Sequence, residues 1–84
     1  MTTHSSTTAS LDALAERFLR LPFSFITPEE AERLAGQIRQ GQLGSAVDTL
    51  EQDIEVHEDC GNQIKANVEI EFHEELAQAW ERSL

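Results

Sequence analysis

Residues 63–72 read QIKANVEIEF, and the structure of this stretch decides the fold class of the whole chain. Its apolar residues alternate strictly with polar ones, which is the pattern of a half-buried β-strand: Ile64, Ala66, Val68, Ile70 and Phe72. The stretch also begins an apolar series at every fourth position, which is typical of a helix: Ile64, Val68, Phe72, Leu76 and Trp80. Both periods fit the same letters, so the neighbouring residues must decide between them.

The residues on either side of this stretch favour a helix. Neither glycine nor proline separates Phe72 from residues 73–80, HEELAQAW, whose composition is typical of a helix. A strand would also need a partner, and the candidate within the chain is residues 54–57, which lie in another helical pattern. We therefore predict a continuous helix, with Lys65 and Glu69 toward its apolar side. The alternative is an α+β fold, in which the stretch is a strand paired in a hairpin or across a dimer.

The first predicted helix covers about residues 10–21, with Ser10 as its N-cap. Its apolar residues have the spacing of one helix face: Leu11, Leu14, Ala15, Phe18 and Leu21. Pro22 ends it, because a residue before proline is pushed away from helical backbone angles. Residues 21–26 then form an extended apolar linker, and we expect Phe23 and Phe25 to enter the core.

Two more helices have recognisable ends. Residues 28–40 form one of them, since Thr27 can cap it, Pro28 suits its first position and Gly41 suits the left-handed turn that ends it. The other starts near Gly44 and Ser45, with Ser45 and Asp48 as a second capping arrangement, and stops at Cys60-Gly61-Asn62. Its predicted apolar stripe is Leu43, Ala46, Val47, Leu50 and Ile54, with His57 as a further candidate.

These segments predict an all-α fold, a small up-and-down bundle of three to four short helices. With 84 residues the chain is long enough for one domain, which we place at residues 10–84. Residues 1–9 are rich in Thr and Ser and are predicted to be a disordered tail. A chain this short buries only about 60% of its unfolded surface, so we also expect a homo-oligomer, a dimer through the C-terminal helix.

The net charge of −10 is distributed unevenly. Residues 1–42 hold five acids and four arginines, whereas residues 43–84 hold eleven acids against Lys65 and Arg82. The C-terminal half therefore carries nearly all of the negative field. Such a surface repels nucleic acid and anionic lipid and attracts basic proteins, so we predict a basic protein partner and no direct nucleic-acid or membrane binding.

The sequence also indicates a cytoplasmic location. Cys60 is the single cysteine, so no internal disulfide can form. Residues 1–10 lack the basic and apolar regions of a secretory signal, and no apolar run approaches the roughly 18 residues that span a bilayer.

Three residues are candidates for metal binding or redox chemistry: His57, Cys60 and His73. A histidine and a cysteine three residues apart can share one helix face and bind zinc, although two ligands do not complete a site. No third group orients a nucleophile, and the four glycines are scattered, so no phosphate loop is formed. We predict no enzyme activity and no cofactor.

The leading functional prediction is a regulatory or inhibitory adaptor that docks an acidic face on a basic protein surface. A narrower version of it is a nucleic-acid decoy whose carboxylates imitate phosphates. We assign the following residues to this face: Asp48, Glu51, Asp53, Glu55, Glu58, Asp59, Glu69, Glu71, Glu74 and Glu75. If Trp80 is exposed, it is a candidate hot spot. Two alternatives stay open: a small metal- or redox-responsive protein that uses His57, Cys60 and His73, and an accessory subunit of a larger enzyme.

Overall fold

The structure is a computed structural model, which describes the backbone of residues 3–83 and the side chains of residues 11–82. It contains four helices, α1 (Thr3–Leu19), α2 (Pro28–Arg39), α3 (Gly44–Asp59) and α4 (Gln63–Ser83). Residues 3–83 contain no strand, so the predicted all-α class is confirmed. Residues 63–72 lie within α4, which is the continuous helix that the sequence favoured.

The helices pack as two consecutive pairs around one core. α1 packs along α2, α3 packs along α4, and a smaller contact joins α2 to α3. The ring of Phe18 on α1 connects these parts, since its centroid lies 5.1 Å from that of Phe23 in the linker and 6.2 Å from that of Phe72 on α4. The largest apolar side chains that are fully buried come from all four helices and the α2–α3 connection: Phe18, Leu34, Ile38, Leu43, Leu50 and Leu76.

The N-terminal helix begins earlier than predicted, at Thr3 rather than near residue 10, and ends at Leu19. Ser10 lies inside it and is not its N-cap. Residues 3–9 contain no glycine or proline, so no residue there prevents the helix from extending, although Ser and Thr are weak helix formers. Residues 1 and 2 lie outside the described backbone, and the division into a disordered tail and a domain from residue 10 stays a prediction.

The linker between α1 and α2 is bent, not fully extended. Ser24 and Phe25 form the bend, while Phe23 and Ile26 point toward the core. The bend interrupts the alternation of an extended chain, so Phe25 is 47% exposed and the prediction that it enters the core is wrong.

The ends of α2 agree with the local signals. The hydroxyl of Thr27 accepts a hydrogen bond from the backbone N–H of Glu30, and Pro28 occupies the first turn. At the other end, Gly41 has a φ of 84°, and the N–H of Gln42 donates to the carbonyl of Gln37. This is the glycine-dependent ending that the sequence predicts.

The C-terminal end of α3 agrees with its local signals, whereas its N-terminal end does not. It stops as predicted, since Gly61 has a φ of 79° and the N–H of Asn62 donates to the carbonyl of His57. The predicted cap by Ser45 and Asp48 is wrong, because Leu43 is the N-cap residue and no side chain caps the helix. Leu43 is buried in the core, so packing sets the start of α3 one residue before the polar signal.

The core-facing side of α4 also differs from the predicted stripe. The buried positions are Ala66, Glu69, Phe72 and Leu76, whereas Ile64 is 82% exposed and Val68 is 46% exposed. Four residues turn a helix by about 400°, so a strict series of fourth positions drifts by about 40° at each step. Over the 16 positions from Ile64 to Trp80 the drift is about 160°, so these residues cannot share one face.

Candidate functional site

A cluster of three ionisable side chains lies inside the bundle, where α3, α4 and the linker meet. Asp53 and His57 come from successive turns of α3, and Glu69 comes from α4. Asp53 and Glu69 are 0% exposed and His57 is 2% exposed. Charged groups are rarely buried unless they are paired, so this cluster is the least ordinary feature of the core.

Asp53 binds the backbone of the bent linker. Its carboxylate accepts hydrogen bonds from the N–H groups of Ser24, at 2.9 and 3.0 Å, and Phe25, at 2.9 Å, with a longer one from Ile26 at 3.4 Å. These N–H groups have no helical carbonyl partner, because Pro22 interrupts the helix. Burial alone would raise the pKa of Asp53, but the hydrogen bonds from Glu69 and from these backbone groups lower it below its ordinary value.

His57 holds the linker at a second point. Its Nε2 atom lies 2.6 Å from the carbonyl oxygen of Pro22. A carbonyl can only accept, so Nε2 carries a hydrogen and donates it. The same atom lies 3.5 Å from Asp53 Oδ2 and 3.7 Å from Glu69 Oε2. Nδ1 is buried and has no hydrogen-bond partner among the described residues.

Glu69 is the member of the cluster whose carboxylate lacks hydrogen-bond donors. Neither of its carboxylate oxygens receives a hydrogen bond from the described residues when it is ionised. Two ionised carboxylates cannot donate to each other, so a hydrogen bond between Glu69 and Asp53 requires a proton on one of them. Burial, followed by the hydrogen bond to Asp53 and its negative charge, raises the pKa of Glu69 to about 9. A metal-free cluster therefore holds a proton on Glu69 at neutral pH.

The predicted ligand set of His57, Cys60 and His73 is not assembled. Cys60 is an exposed free thiol at the end of α3. His73 lies on α4 with its Nε2 atom 3.9 Å from Glu51 Oε2. Among the described residues, the group whose donor atoms could surround one ion is Asp53, His57 and Glu69, whose donors lie within 4.8 Å of one another.

Eight of the ten residues assigned to the acidic face are exposed: Asp48, Glu51, Glu55, Glu58, Asp59, Glu71, Glu74 and Glu75. Asp53 and Glu69 do not belong to this face, since both are buried in the cluster. Both acids occupy positions that a helical period places inward, Asp53 three residues after Leu50 and Glu69 three residues before Phe72. That register was the available signal for them.

The basic side chains do not neutralise the exposed carboxylates of α3. Arg17 makes two hydrogen bonds to the Glu75 carboxylate, at 2.7 and 2.8 Å, and this partner lowers the pKa of Glu75. The other three arginines of residues 1–42 pair with acids of α1 and α2. Within residues 11–82, no Lys or Arg lies within 4.0 Å of an exposed carboxylate of α3.

No helix in the described part of the chain is both long and apolar enough to span a membrane. No protein-family model matches the sequence, and neither the curated proteins nor the solved structures include a detectable match to it.

Proposed function

We propose that the protein is a small regulatory adaptor that binds a basic surface of another protein through the exposed carboxylates of α3 and α4. The observation that carries this proposal is the charge arrangement on α3. Five exposed acids follow one another along this helix without an Arg or Lys partner in residues 11–82. Carboxylates without an internal counter-ion attract and orient a cationic surface. The same field disfavours direct contact with nucleic acid or an anionic membrane.

Binding would proceed by electrostatic steering followed by the burial of an apolar contact. Trp80, which is half-buried rather than exposed, is the proposed hot spot, because its ring lies beside the first residue of α3. A Cβ atom placed on Gly44, the first residue of α3, would be 3.2 Å from Trp80 Cζ2. The ring is half-buried against the core, so it would present one edge to a partner.

A narrower version of this proposal is an inhibitor that imitates nucleic acid. In that case the partner is a DNA- or RNA-binding protein, and the carboxylates occupy the groove that normally binds phosphates. Competition distinguishes the two versions, since added duplex DNA or RNA would displace a decoy from its partner. An adaptor that uses another basic surface would be unaffected at the same ionic strength.

The experiment is affinity capture from nuclease-treated lysate of the source organism, with washes at low salt and at about 1 M salt, where the Debye length is about 3 Å. We expect a basic protein to be retained at low salt and released at high salt. The purified pair is then measured directly by titration calorimetry. An affinity that does not weaken as salt rises would exclude the electrostatic mechanism.

Two variants of equal charge serve as matched controls. Glu55→Gln/Glu58→Gln removes two carboxylates from α3, and Glu29→Gln/Glu32→Gln removes two exposed carboxylates from α2. We expect the α3 variant to bind at least about tenfold more weakly than the α2 variant, a difference of about 1.4 kcal/mol. Equal losses in both variants would mean that net charge alone is responsible.

The two alternative functions remain distinguishable by simple measurements. A redox or metal role for Cys60 and His73 predicts a loss of metal or of redox response in Cys60→Ser and His73→Gln. An accessory subunit that folds only on its partner enzyme predicts a coil-like circular dichroism spectrum for the isolated chain. A cooperative helical spectrum would favour the independent adaptor instead.

A further inference from the structure

We propose that Asp53, His57 and Glu69 bind one divalent transition-metal ion, such as Zn²⁺ or Mn²⁺, between α3 and α4. This site is distinct from the acidic face and does not depend on the adaptor function. It is also distinct from the ligand set of His57, Cys60 and His73 that the sequence suggests.

The positions of the donor atoms suit a single ion. His57 Nε2 lies 3.5 Å from Asp53 Oδ2 and 3.7 Å from Glu69 Oε2. Ligands at about 2.0–2.2 Å from a tetrahedral ion are about 3.3–3.6 Å from one another. The three donor atoms all lie within 4.8 Å of one another, so they can converge on one ion once the Pro22 carbonyl oxygen, now 2.6 Å from His57 Nε2, moves aside. Two carboxylates and one imidazole are a donor set that zinc, manganese and iron accept.

The buried Glu69 carboxylate, which has no donor when it is ionised, is the independent observation that points to a cation. The side chain is fully buried, yet neither oxygen receives a hydrogen bond from the described residues. Its Oε2 atom is directed at the same His57 nitrogen that Asp53 approaches. A divalent ion would displace the Glu69 proton into solvent, neutralise both carboxylates and supply the partner that the ionised Glu69 lacks.

The surrounding contacts already orient the ligands. Asp53 is held by the backbone N–H groups of residues 24–26, which act as the outer hydrogen bonds that position a metal ligand. When Nε2 binds the ion, the ring proton moves to Nδ1 and the hydrogen bond to Pro22 is lost. The Pro22 carbonyl oxygen, now 2.6 Å from Nε2, must move outward to make room for the ion, and from its new position it can serve as a further oxygen ligand.

A metal ion bound by these three side chains would connect three segments of the chain. The ligands join α3 to α4, and both Asp53 and Pro22 belong to the contact with the linker. Because the ligands are sealed from solvent, the ion must enter while the linker is displaced or while the chain folds. Metal should therefore load during refolding and exchange slowly afterwards.

The test is to unfold the full chain with a chelator, refold it with Zn²⁺ or Mn²⁺ in separate samples, and measure bound metal by mass spectrometry after gel filtration. We expect about one ion per chain and a higher thermal midpoint than in the chelator-treated sample. Refolding with Co²⁺ gives a second readout, since ligation in an ordered site changes its visible absorption.

Three variants separate this site from other sources of metal. Glu69→Gln keeps the shape of the side chain and is expected to abolish stoichiometric binding and the metal-dependent shift of the midpoint. Cys60→Ser/His73→Gln removes the other candidate ligands, and Glu55→Gln/Glu58→Gln removes exposed acids; both are expected to keep one ion.

The proposal is overturned if the wild-type chain refolds without bound metal, or if its midpoint is the same with and without metal. It is also overturned if folded Glu69→Gln binds as much metal as the wild type, which would indicate adsorption to surface acids. If Glu69→Gln does not fold, the Co²⁺ spectrum decides, and a spectrum identical to that of free aqueous Co²⁺ contradicts the site.

Discussion

A carboxyl group that is sealed from water and receives no donor is stable only when it is neutral or bound to a cation, and Glu69 is such a group. Asp53 is equally buried but is stabilised as an anion by the linker N–H groups. The two acids are therefore chemically different, although both are side chains on the core side of a helix. Their difference comes from the bent backbone of residues 24–26, which reaches only one of them.

We expect the free energy of unfolding of the metal-free protein to fall as pH rises from about 4.5 to about 9. The pKa of Glu69 rises from 4.5 to about 9 on folding, so the folded chain keeps a proton that the unfolded chain has lost. The stabilisation from this proton is fully present below the pKa of Glu69 in the unfolded chain and is lost as pH rises through its pKa in the folded chain. The free energy of unfolding changes by at most about 1.4 kcal/mol per pH unit. Urea unfolding with a chelator at several pH values measures this slope.

Glu69→Gln is the matched variant for this measurement, because an amide fills the same space and does not ionise. Its stability should depend less on pH in this range than that of the wild type. An unchanged slope would mean that repulsion among the surface acids causes the pH dependence.

Asp53→Ala should destabilise the fold by about 3 kcal/mol, since it leaves several linker N–H groups without their charged acceptor. Asp48→Ala is the matched control on the same helix, because Asp48 is exposed and unpaired in residues 11–82. The control should change stability by less than about 0.5 kcal/mol. Chemical denaturation at about pH 6, where Glu69 is protonated, provides the comparison. Equal losses of stability in Asp53→Ala and Asp48→Ala would show that the Asp53 contacts contribute little to the free energy of unfolding.

The helices show which local signals are sufficient. Thr27, Pro28, Gly41 and Gly61 act within one turn of the backbone, and the helix ends that they predict are present. The start of α3 is set differently, because burial of Leu43 takes precedence over the hydroxyl of Ser45. A polar residue at a plausible position is therefore a weaker guide than a proline or a left-handed glycine.

Thr27→Ala and Ser45→Ala should have unequal effects on stability. Thr27 caps α2 by accepting the Glu30 N–H, so its loss should cost about 1 kcal/mol. Ser45 is inside α3 and caps nothing, so its replacement should change stability by less than about 0.5 kcal/mol. Thermal unfolding of the two variants beside the wild type tests this difference. A larger loss of stability in Ser45→Ala than in Thr27→Ala would mean that Ser45 does cap α3.

For the molecule as a whole, charge is segregated between the two helix pairs. The arginines of α1 and α2 are used in ion pairs, one of which, Arg17 with Glu75, joins α1 to α4. α3 is left with a continuous negative surface, and the Ile64 and Val68 side chains lie exposed at the start of α4.

The expected homodimer through α4 is tested by light scattering during gel filtration. A dimer should have about twice the chain mass of 9.4 kDa. Ile64→Ser/Val68→Ser should shift it toward the monomer, because both side chains are apolar, exposed and one turn apart. Gln63→Ser/Asn67→Ser alters two exposed polar residues of the same helix and should leave the mass unchanged. A monomer at every concentration would contradict the dimer.

The sequence by itself determined the all-α class, the ends of α2, the end of α3 and the uneven charge, because each depends on residues within a few positions of one another. The helical register already places Asp53 and Glu69 inward, but tertiary structure alone decided that these two acids meet each other and that His57 joins them instead of Cys60 and His73. It also decided that Ile64 and Val68 are exposed. These outcomes depend on the rotation of α4 against α3 and on the bend of a linker nearly 30 residues before Asp53. Local patterns contain no information on either.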